Sequence, residues 1–246
     1  MDRFIDLAVS AVLLAGLYAT MAYGLGIIYG VLRVVNLAHG GVIMAGAYMG
    51  WVLHGKLGLD PYLAVPLVAV AAYLLGMFMY KALVRHLPRG PAGGPASLLL
   101  LFGFWLVLRN VAYLLFTGND QSITTPWSTR SVVLLGSHLS VSRLAVLAVG
   151  IVVPVALHLF LRRTYLGRAI RAVAQNPDSC TLAGVDVERI YSITFGLGTA
   201  LAGLAGLLSA TIFAFNPGSG SGELLKSFVV VVLGAWAASW GRASRP

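Results

Sequence analysis

The sequence predicts an all-α, polytopic transmembrane helix bundle, and three observations lead to that prediction. Residues of the hydrophobic set make up 59% of the 246 residues, whereas only 10% are charged. Because a soluble domain is about 25% charged, this composition excludes an ordinary soluble protein. It also excludes a disordered chain, which needs low hydrophobicity and high charge. The apolar residues form runs that approach the roughly 20 helical residues needed to cross a bilayer core.

About seven apolar segments follow one another along the chain. The first is too long for the core of a signal peptide and has no basic region before it, so we interpret it as a retained span. The second is short and is predicted to be tilted, broken or re-entrant. The segments comprise residues 7–31, 41–53, 62–84, 97–116, 144–161, 190–215 and 224–238.

The positive charges of the loops set the expected orientation. Cytoplasmic loops of membrane proteins are enriched in Lys and Arg, and here the basic residues concentrate in loops 81–95 and 162–171. These loops are predicted to be cytoplasmic, and the polar loop 117–142 between them external. The N-terminus is then outside, provided that segment 41–53 crosses. The net charge of +9 therefore indicates membrane loops and not a nucleic-acid surface.

Two polar features within the apolar pattern suggest a translocation path. Arg109 lies about two-thirds of the way along its segment, where a charge is costly and indicates an interior partner or a watery cavity. A snorkelling side chain is the alternative. The polar, Gly-rich break at residues 36–41 suits a substrate path or a simple interfacial turn. The predicted path consists of Asn36, His39, Gly40, Arg109 and Asn110.

The basic segment 163–186 has the pattern of short cytoplasmic helices. Arg168 and Arg171 lie three residues apart and share a helix face. Pro177 breaks the pattern, and Asp178 is predicted to cap a second short helix. Exposed cations on such an element suit docking into another protein, and a basic segment lying on anionic lipid is the alternative.

No motif in the chain predicts nucleotide or metal chemistry. Residues 50–56 match the first part of a phosphate-binding loop, but Leu57 replaces the required Ser or Thr and the stretch ends a membrane segment. The single cysteine cannot form an internal disulfide or a Cys-based zinc site alone. Since no Asp or Glu lies inside an apolar segment, an ion-coupled secondary carrier is also disfavoured. We predict a transport subunit that is not an enzyme and holds no metal.

At two places the sequence resembles branched-chain amino acid ABC transporter permeases of the LivH type. Residues 36–40, Asn-Leu-Ala-His-Gly, followed by residues 44–48, resemble the family's Asn-Phe-Ala-His-Gly … Gly-Ala-Tyr signature. Residues 167–186, running into 195–206, resemble its cytoplasmic coupling loop and following span. The resemblance covers residues 7 to about 234 and implies one permease domain over residues 1–234.

This resemblance implies a multi-pass subunit of the cytoplasmic (inner) membrane that moves a branched-chain, hydrophobic amino acid inward. A second permease, two cytoplasmic ATPases that bind ATP and Mg²⁺, and a periplasmic or extracellular binding protein would complete the transporter. This chain itself would hold no cofactor and bind no nucleic acid. Alternatives are a permease for urea, short amides or a sugar, or an ATP-independent secondary carrier. The implied ATPase-coupling residues are Gly167, Arg168, Arg171, Asn176, Gly184 and Asp186.

The tail at residues 235–246 departs from the family, which continues with a Gly-rich turn and a further span. Read from the third base of each codon, the possible codons for residues 235–241 permit Met-Gly-Ser-Val-Leu-Gly, which matches the expected turn. We therefore expect that a frameshift produced this tail.

Overall fold

The computed structural model describes residues 2–88, 93–125, 128, 130–134 and 137–243. Within them the chain forms nine α-helices, one turn of 3-10 helix at Val84–His86 and one short antiparallel hairpin. The helices are α1 (Asp2–Leu32), α2 (His39–Leu57), α3 (Val65–Ala82), α4 (Gly93–Phe116), α5 (Val141–Arg163), α6 (Tyr165–Gln175), α7 (Pro177–Leu182), α8 (Val187–Ala210) and α9 (Gly220–Ala243). The strands are β1 (Ser131–Leu134) and β2 (Ser137–Ser140).

The predicted helical membrane fold is confirmed. Five helices in the described part of the chain, α1, α3, α4, α5 and α8, are long and apolar enough to cross a membrane. Helices α2 and α9 correspond to the second and seventh predicted segments. The hairpin within the polar loop 117–142 was not predicted. Helix α9 continues through Ala243, and residues 244–246 of the predicted atypical tail lie outside the described residues.

Helix α8 forms the centre of the bundle and packs against α1, α2 and α3. Small residues allow these helices to approach closely. A methyl group on Gly24 would lie 2.7 Å from the carbonyl oxygen of Gly198, and one on Gly206 would collide with the carbonyl of Ile43. Because lipid supplies no hydrophobic force between helices, such close packing is what holds them together.

Two GxxxG pairs of the apolar segments, Gly26/Gly30 in α1 and Gly46/Gly50 in α2, have different roles. Gly46 faces Gly203 of α8, and Gly50 is closely packed as well. By contrast, a methyl group on Gly26 or Gly30 would meet no atom of the described residues within 4 Å. Of these two pairs, the one in α2 therefore serves packing within the described part of the chain.

Helices α4 and α5 form an open side of the bundle. Only 11% of the residues in the apolar window of each are buried, against 83% in α8. Their outward side chains are large and apolar, including Leu99, Leu114 and Val152. This face suits lipid or another membrane subunit.

The helix ends sort into two groups that agree with the predicted orientation. At one end, Val31 of α1, Ile170 of α6 and Ile190 of α8 pack in one cluster. At the other end, the backbones of Gln121 and Phe215 pair in an isolated bridge. The basic element α6 thus lies at the end that the loop charges predict to be cytoplasmic.

Two predicted boundaries, at the end of the sixth segment and the start of the seventh, are wrong. The sixth segment was predicted to extend to residue 215, but α8 ends at Ala210, and α9 begins at Gly220 instead of residue 224. Residues between these helices turn back into the bundle. The side chain of Asn216 accepts a 2.8 Å hydrogen bond from the backbone N–H two residues on, which is an Asx turn.

Candidate functional site

Helix α2 begins deep inside the bundle. Its first residue, His39, is fully buried, and its Nε2 lies 3.0 Å from the carbonyl oxygen of Met21. The same imidazole lies beside Gly24, which packs on Gly198, midway along the 24 residues of α8. At 1.5 Å per residue, the start of α2 is about 16 Å from the cytoplasmic end of α8. That is close to half the thickness of a bilayer core.

The second apolar segment itself is not broken: it lies within the continuous helix α2, which begins at mid-depth. After α1 ends, residues 33–38 return toward the middle of the bundle without regular structure. Helix α2 then runs outward, and Nε2 of His54 reaches the carbonyl oxygen of Thr124 at 3.2 Å.

Helix α9 begins at the same depth. A methyl group on Gly220, its first residue, would lie 2.5 Å from the carbonyl oxygen of Gly40. Two helix N-termini consequently meet in the middle of the bundle. The first four backbone N–H groups of a helix have no partner within that helix, and the helix dipole adds partial positive charge there.

Buried polar atoms without partners surround the start of α2. Among the described residues, neither amide atom of Asn36 has a hydrogen-bond partner, and neither does Nδ1 of His39. Both side chains are 0% exposed. The indole Nε1 of Trp105 in α4 is likewise buried and unpaired. A buried polar group left unpaired costs about 1–3 kcal/mol, so four such atoms in one region indicate a site built for something other than packing.

Trp105 joins α4 to this region. A methyl group on Gly41, in the first turn of α2, would lie 2.8 Å from Cδ1 of Trp105. The sequence analysis missed this residue. Its position one helical turn before Arg109 was the available signal, since residues i and i+4 share a helix face.

Arg109 and Asn110 diverge in the structure. The guanidinium of Arg109 is half-buried, 5.9 Å from the ring centroid of Trp105 and 5.6 Å from that of Tyr113, which is within the range of cation–π attraction. Asn110 is exposed, and its Nδ2 donates to the carbonyl of Leu106 at 2.7 Å. The structure thus gathers Asn36, His39 and Gly40 and places Arg109 near them, whereas Asn110 faces outward.

Glu223, in the first turn of α9, is a second residue that the sequence analysis missed. Its Oε1 accepts from Nζ of Lys226 at 2.8 Å, while its Oε2 is buried and unpaired among the described residues. Sequence alone placed it in a Gly/Ser-rich turn, because the start of α9 at Gly220 could not be recognised.

The cytoplasmic element consists of α6 and α7, and polar caps set its shape. Oγ1 of Thr164 accepts from the N–H of Gly167 at 3.0 Å and caps α6. Oδ1 of Asn176 accepts from the N–H of Ser179 at 3.0 Å and caps α7. The predicted cap at Asp178 is wrong: Pro177 occupies the first helical position, so the residue before it becomes the cap.

Three more of the predicted coupling residues have structural roles. Oδ1 of Asp186 accepts from the N–H of Arg189 at 3.0 Å and caps α8. Gly184 has a φ of +79°, a conformation that favours glycine. Gly167 is buried, and a methyl group there would collide with the carbonyl of Leu161 at the end of α5.

The outer surface of the cytoplasmic element is exposed and mixed in character. Arg168 and Arg171 are exposed, and the apolar side chains of Leu182 and Tyr165 are 90% and 74% exposed. Cations interleaved with apolar side chains, beyond the apolar spans, fit a protein partner.

The element is also fastened to the spans. The hydroxyl of Tyr80, near the end of α3, donates to Oε2 of Glu188 in α8 at 2.8 Å, and Nε of Arg85 lies 3.8 Å from the same oxygen. These contacts join α3 to the first turn of α8, and the apolar cluster at Ile170 packs α6 against α1 and α8. A displacement of the element would therefore reach the spans.

Comparison with known proteins assigns the chain. The family model described as branched-chain amino acid transport system / permease component matches residues 7–244. The chain belongs to this permease family. It is similar to the high-affinity branched-chain amino acid transport system permease protein BraD of Pseudomonas aeruginosa, with 29% identity over 94% of this chain and 79% of that protein.

Two further relatives of the permease are similarly distant. The permease protein LivH of Escherichia coli K12 is 28% identical over 94% of this chain and 79% of its own length. A probable LivH of Methanocaldococcus jannaschii is 26% identical over 91% of this chain and 72% of its own length. No solved structure matches the chain significantly. The predicted resemblance and the multi-pass membrane location are confirmed.

The corrected cap gives a direct prediction for the permease. Asn176→Ala removes the acceptor that begins α7 and costs about 1 kcal/mol locally, so amide hydrogen exchange at residues 178–182 should accelerate about fivefold. Asp178→Ala is the matched control, because it removes a nearby carboxylate and leaves the cap. An equal or larger acceleration in the control would restore Asp178 as the cap.

Proposed function

We propose that this chain is the permease subunit of an ATP-driven importer that carries branched-chain amino acids inward across the cytoplasmic membrane. The match of the family model over residues 7–244 carries the proposal. The names of the BraD and LivH relatives support branched-chain amino acids as the solute.

The chain would work within a larger assembly. A second permease would pack against part of the open membrane-facing surface, and two cytoplasmic ATPases would bind ATP and Mg²⁺. A periplasmic or extracellular binding protein would deliver the solute. This chain would then supply the path and the coupling element, and the ATPases would supply the hydrolytic site.

The geometry supports a route for coupling. The ATPase would bind the exposed surface of α6 and α7, where Arg168, Arg171 and Leu182 lie. Movement of that element would pass through the Ile170 cluster to α1 and α8, and from α8 to α3 through the Tyr80–Glu188 hydrogen bond. The mid-depth start of α2 lies against those helices, so access to it would change from one side to the other.

Competition for uptake tests the solute class. Membrane vesicles carrying the complete transporter should accumulate labelled leucine, and unlabelled isoleucine and valine should compete with it. Urea, acetamide and ribose at the same concentrations should not compete, and vesicles that lack this chain should show no uptake. Competition by urea, amides or the sugar alone would assign the alternative solute class.

A further inference from the structure

We infer that the mid-depth junction of α2 and α9 binds the zwitterionic head group of the transported amino acid, with separate places for its carboxylate and its ammonium. The inference rests on the proposed function and deepens it. It starts from the unpaired buried atoms of Asn36, His39, Trp105 and Glu223, whose hydrogen-bonding capacities fall into two kinds.

Donors for a carboxylate converge on the first turn of α2. The N–H groups of His39 and Val42 donate to the carbonyls of Asn36 and Ala38, which leaves those of Gly40 and Gly41 without a partner within the helix. Helix N-termini are ready-made anion sites. The indole of Trp105 lies against Gly41 of that turn, and its unpaired Nε1 can only donate. The cation of Arg109, 5.9 Å from the Trp105 ring, adds favourable charge one turn away.

Acceptors for an ammonium lie at the same junction. The carbonyl of Met21 can only accept, so Nε2 of His39 carries the proton in their 3.0 Å contact. In the neutral ring, Nδ1 is then an acceptor, and it lies on the side of the ring next to the His39 backbone at the start of α2. The unpaired Oε2 of Glu223, in the first turn of α9, is a second acceptor.

A ligand with a single charge would not pair with both the donors and the acceptors at this junction. An inorganic anion would leave His39 and Glu223 unpaired, and a simple cation would leave Trp105 and the helix start unpaired. Asn36 contributes one donor and one acceptor, and both are unpaired. An α-amino acid presents a carboxylate and an ammonium on one carbon, and so can satisfy both kinds. The helix start at mid-depth parallels the discontinuous helices that bind substrate carboxylates in other transporters.

Two substitutions test the two halves separately. Trp105→Phe removes the N–H donor and keeps an aromatic ring against Gly41. His39→Gln keeps a donor that can reach Met21 and leaves no acceptor at the Nδ1 position, since its amide oxygen lies at the tip of the side chain. Trp51→Phe is the control, because Trp51 packs against Phe116 toward the other end of α2, with ring centroids 6.1 Å apart.

The readout is initial leucine uptake into vesicles that carry the complete transporter, over a range of leucine concentrations. Each test variant should raise the KM about tenfold, the loss expected when a hydrogen bond to a charged group is removed. Trp51→Phe should stay within about twofold of the wild type. Size-exclusion profiles of the purified complexes report whether each variant assembles.

The outcomes separate the inference from the proposed function. Wild-type leucine uptake with unchanged KM in both assembled test variants would overturn the head-group site, and ordered water would then account for the unpaired atoms. Absence of leucine uptake by the wild type would overturn the proposed function, and the zwitterion site with it. If a variant fails to assemble, Asn36→Asp takes its place as the test of the head-group site. The carboxylate that this substitution introduces beside the site should raise the KM for leucine at least as much as the test variants are expected to raise it.

Discussion

Replacing Gly206 with valine is expected to prevent the bundle from assembling. Even a methyl group at this position would collide with the carbonyl oxygen of Ile43, in the helix that crosses α8 there. Overpacking a core with side-chain neighbours typically costs 1–3 kcal/mol, and backbone neighbours cannot change rotamer to relieve it. The substitution should therefore separate α2 from α8 and destroy the mid-depth junction.

Detergent extraction followed by fluorescence size-exclusion chromatography measures this effect. The matched control is Gly30→Val, because Gly30 also belongs to a GxxxG pair in the membrane but a methyl group there would meet no atom within 4 Å in the part of the chain that the structure describes. When this chain is expressed without its partners, we expect Gly206→Val to lose the monodisperse peak. Gly30→Val should give a profile like that of the wild type. The reverse ranking would show that α2 and α8 do not cross as described.

The second large effect is expected at Leu182, whose side chain is 90% exposed at the cytoplasmic end. A well-packed apolar anchor at a protein interface is worth 2 kcal/mol or more. Leu182→Glu should therefore lower substrate-stimulated ATP hydrolysis of the complete transporter at least about tenfold. The fold of this chain should be unaffected, since the side chain makes little contact with it.

Leu182→Met is the control for that experiment, because it keeps an apolar side chain of similar volume. Arg171→Glu extends the test to the basic part of the same surface. Gly167 is unsuitable, since any side chain there would collide with the end of α5 and would disturb the fold together with coupling. Wild-type stimulation in Leu182→Glu complexes would show that the ATPase binds elsewhere.

Much of the membrane architecture could be predicted from the sequence, because span length and loop charge are local properties. The segments that became α3, α4 and α5 were found from their apolar runs alone. Helix ends were less predictable where apolar residues continue past them. The run after Ala210 remains apolar through Phe215, and hydropathy cannot distinguish a continuing helix from a chain that turns back.

The site was only partly predictable for a related reason. The polar break with Asn36 and His39 is visible in the sequence, but its depth depends on the distant partners Met21 and Gly198. Trp105 resembles any aromatic residue of a membrane helix until its indole N–H is found buried and unpaired. Glycine patterns have the same limitation, since nothing local distinguishes Gly26, which faces open space, from Gly46, which packs on α8.

The predicted coupling segment, residues 167–186, has a structural role as well. Asn176, Gly184 and Asp186 were predicted as coupling residues, and the structure shows that they cap helices or turn the chain. Those tasks give α6 and α7 their shape. The exposed side chains of Arg168, Arg171 and Leu182 are left to meet a partner.

The energy source for uptake, measured in proteoliposomes that contain the purified, complete transporter, decides whether this chain serves an ATP-driven importer. We expect leucine to accumulate when the ATPase side receives ATP and Mg²⁺, and no accumulation with a non-hydrolysable ATP analogue. Ionophores that dissipate proton and sodium gradients should leave the initial rate unchanged. Leucine accumulation that needs an ion gradient and proceeds without ATP would contradict an ATP-driven importer and identify a secondary carrier.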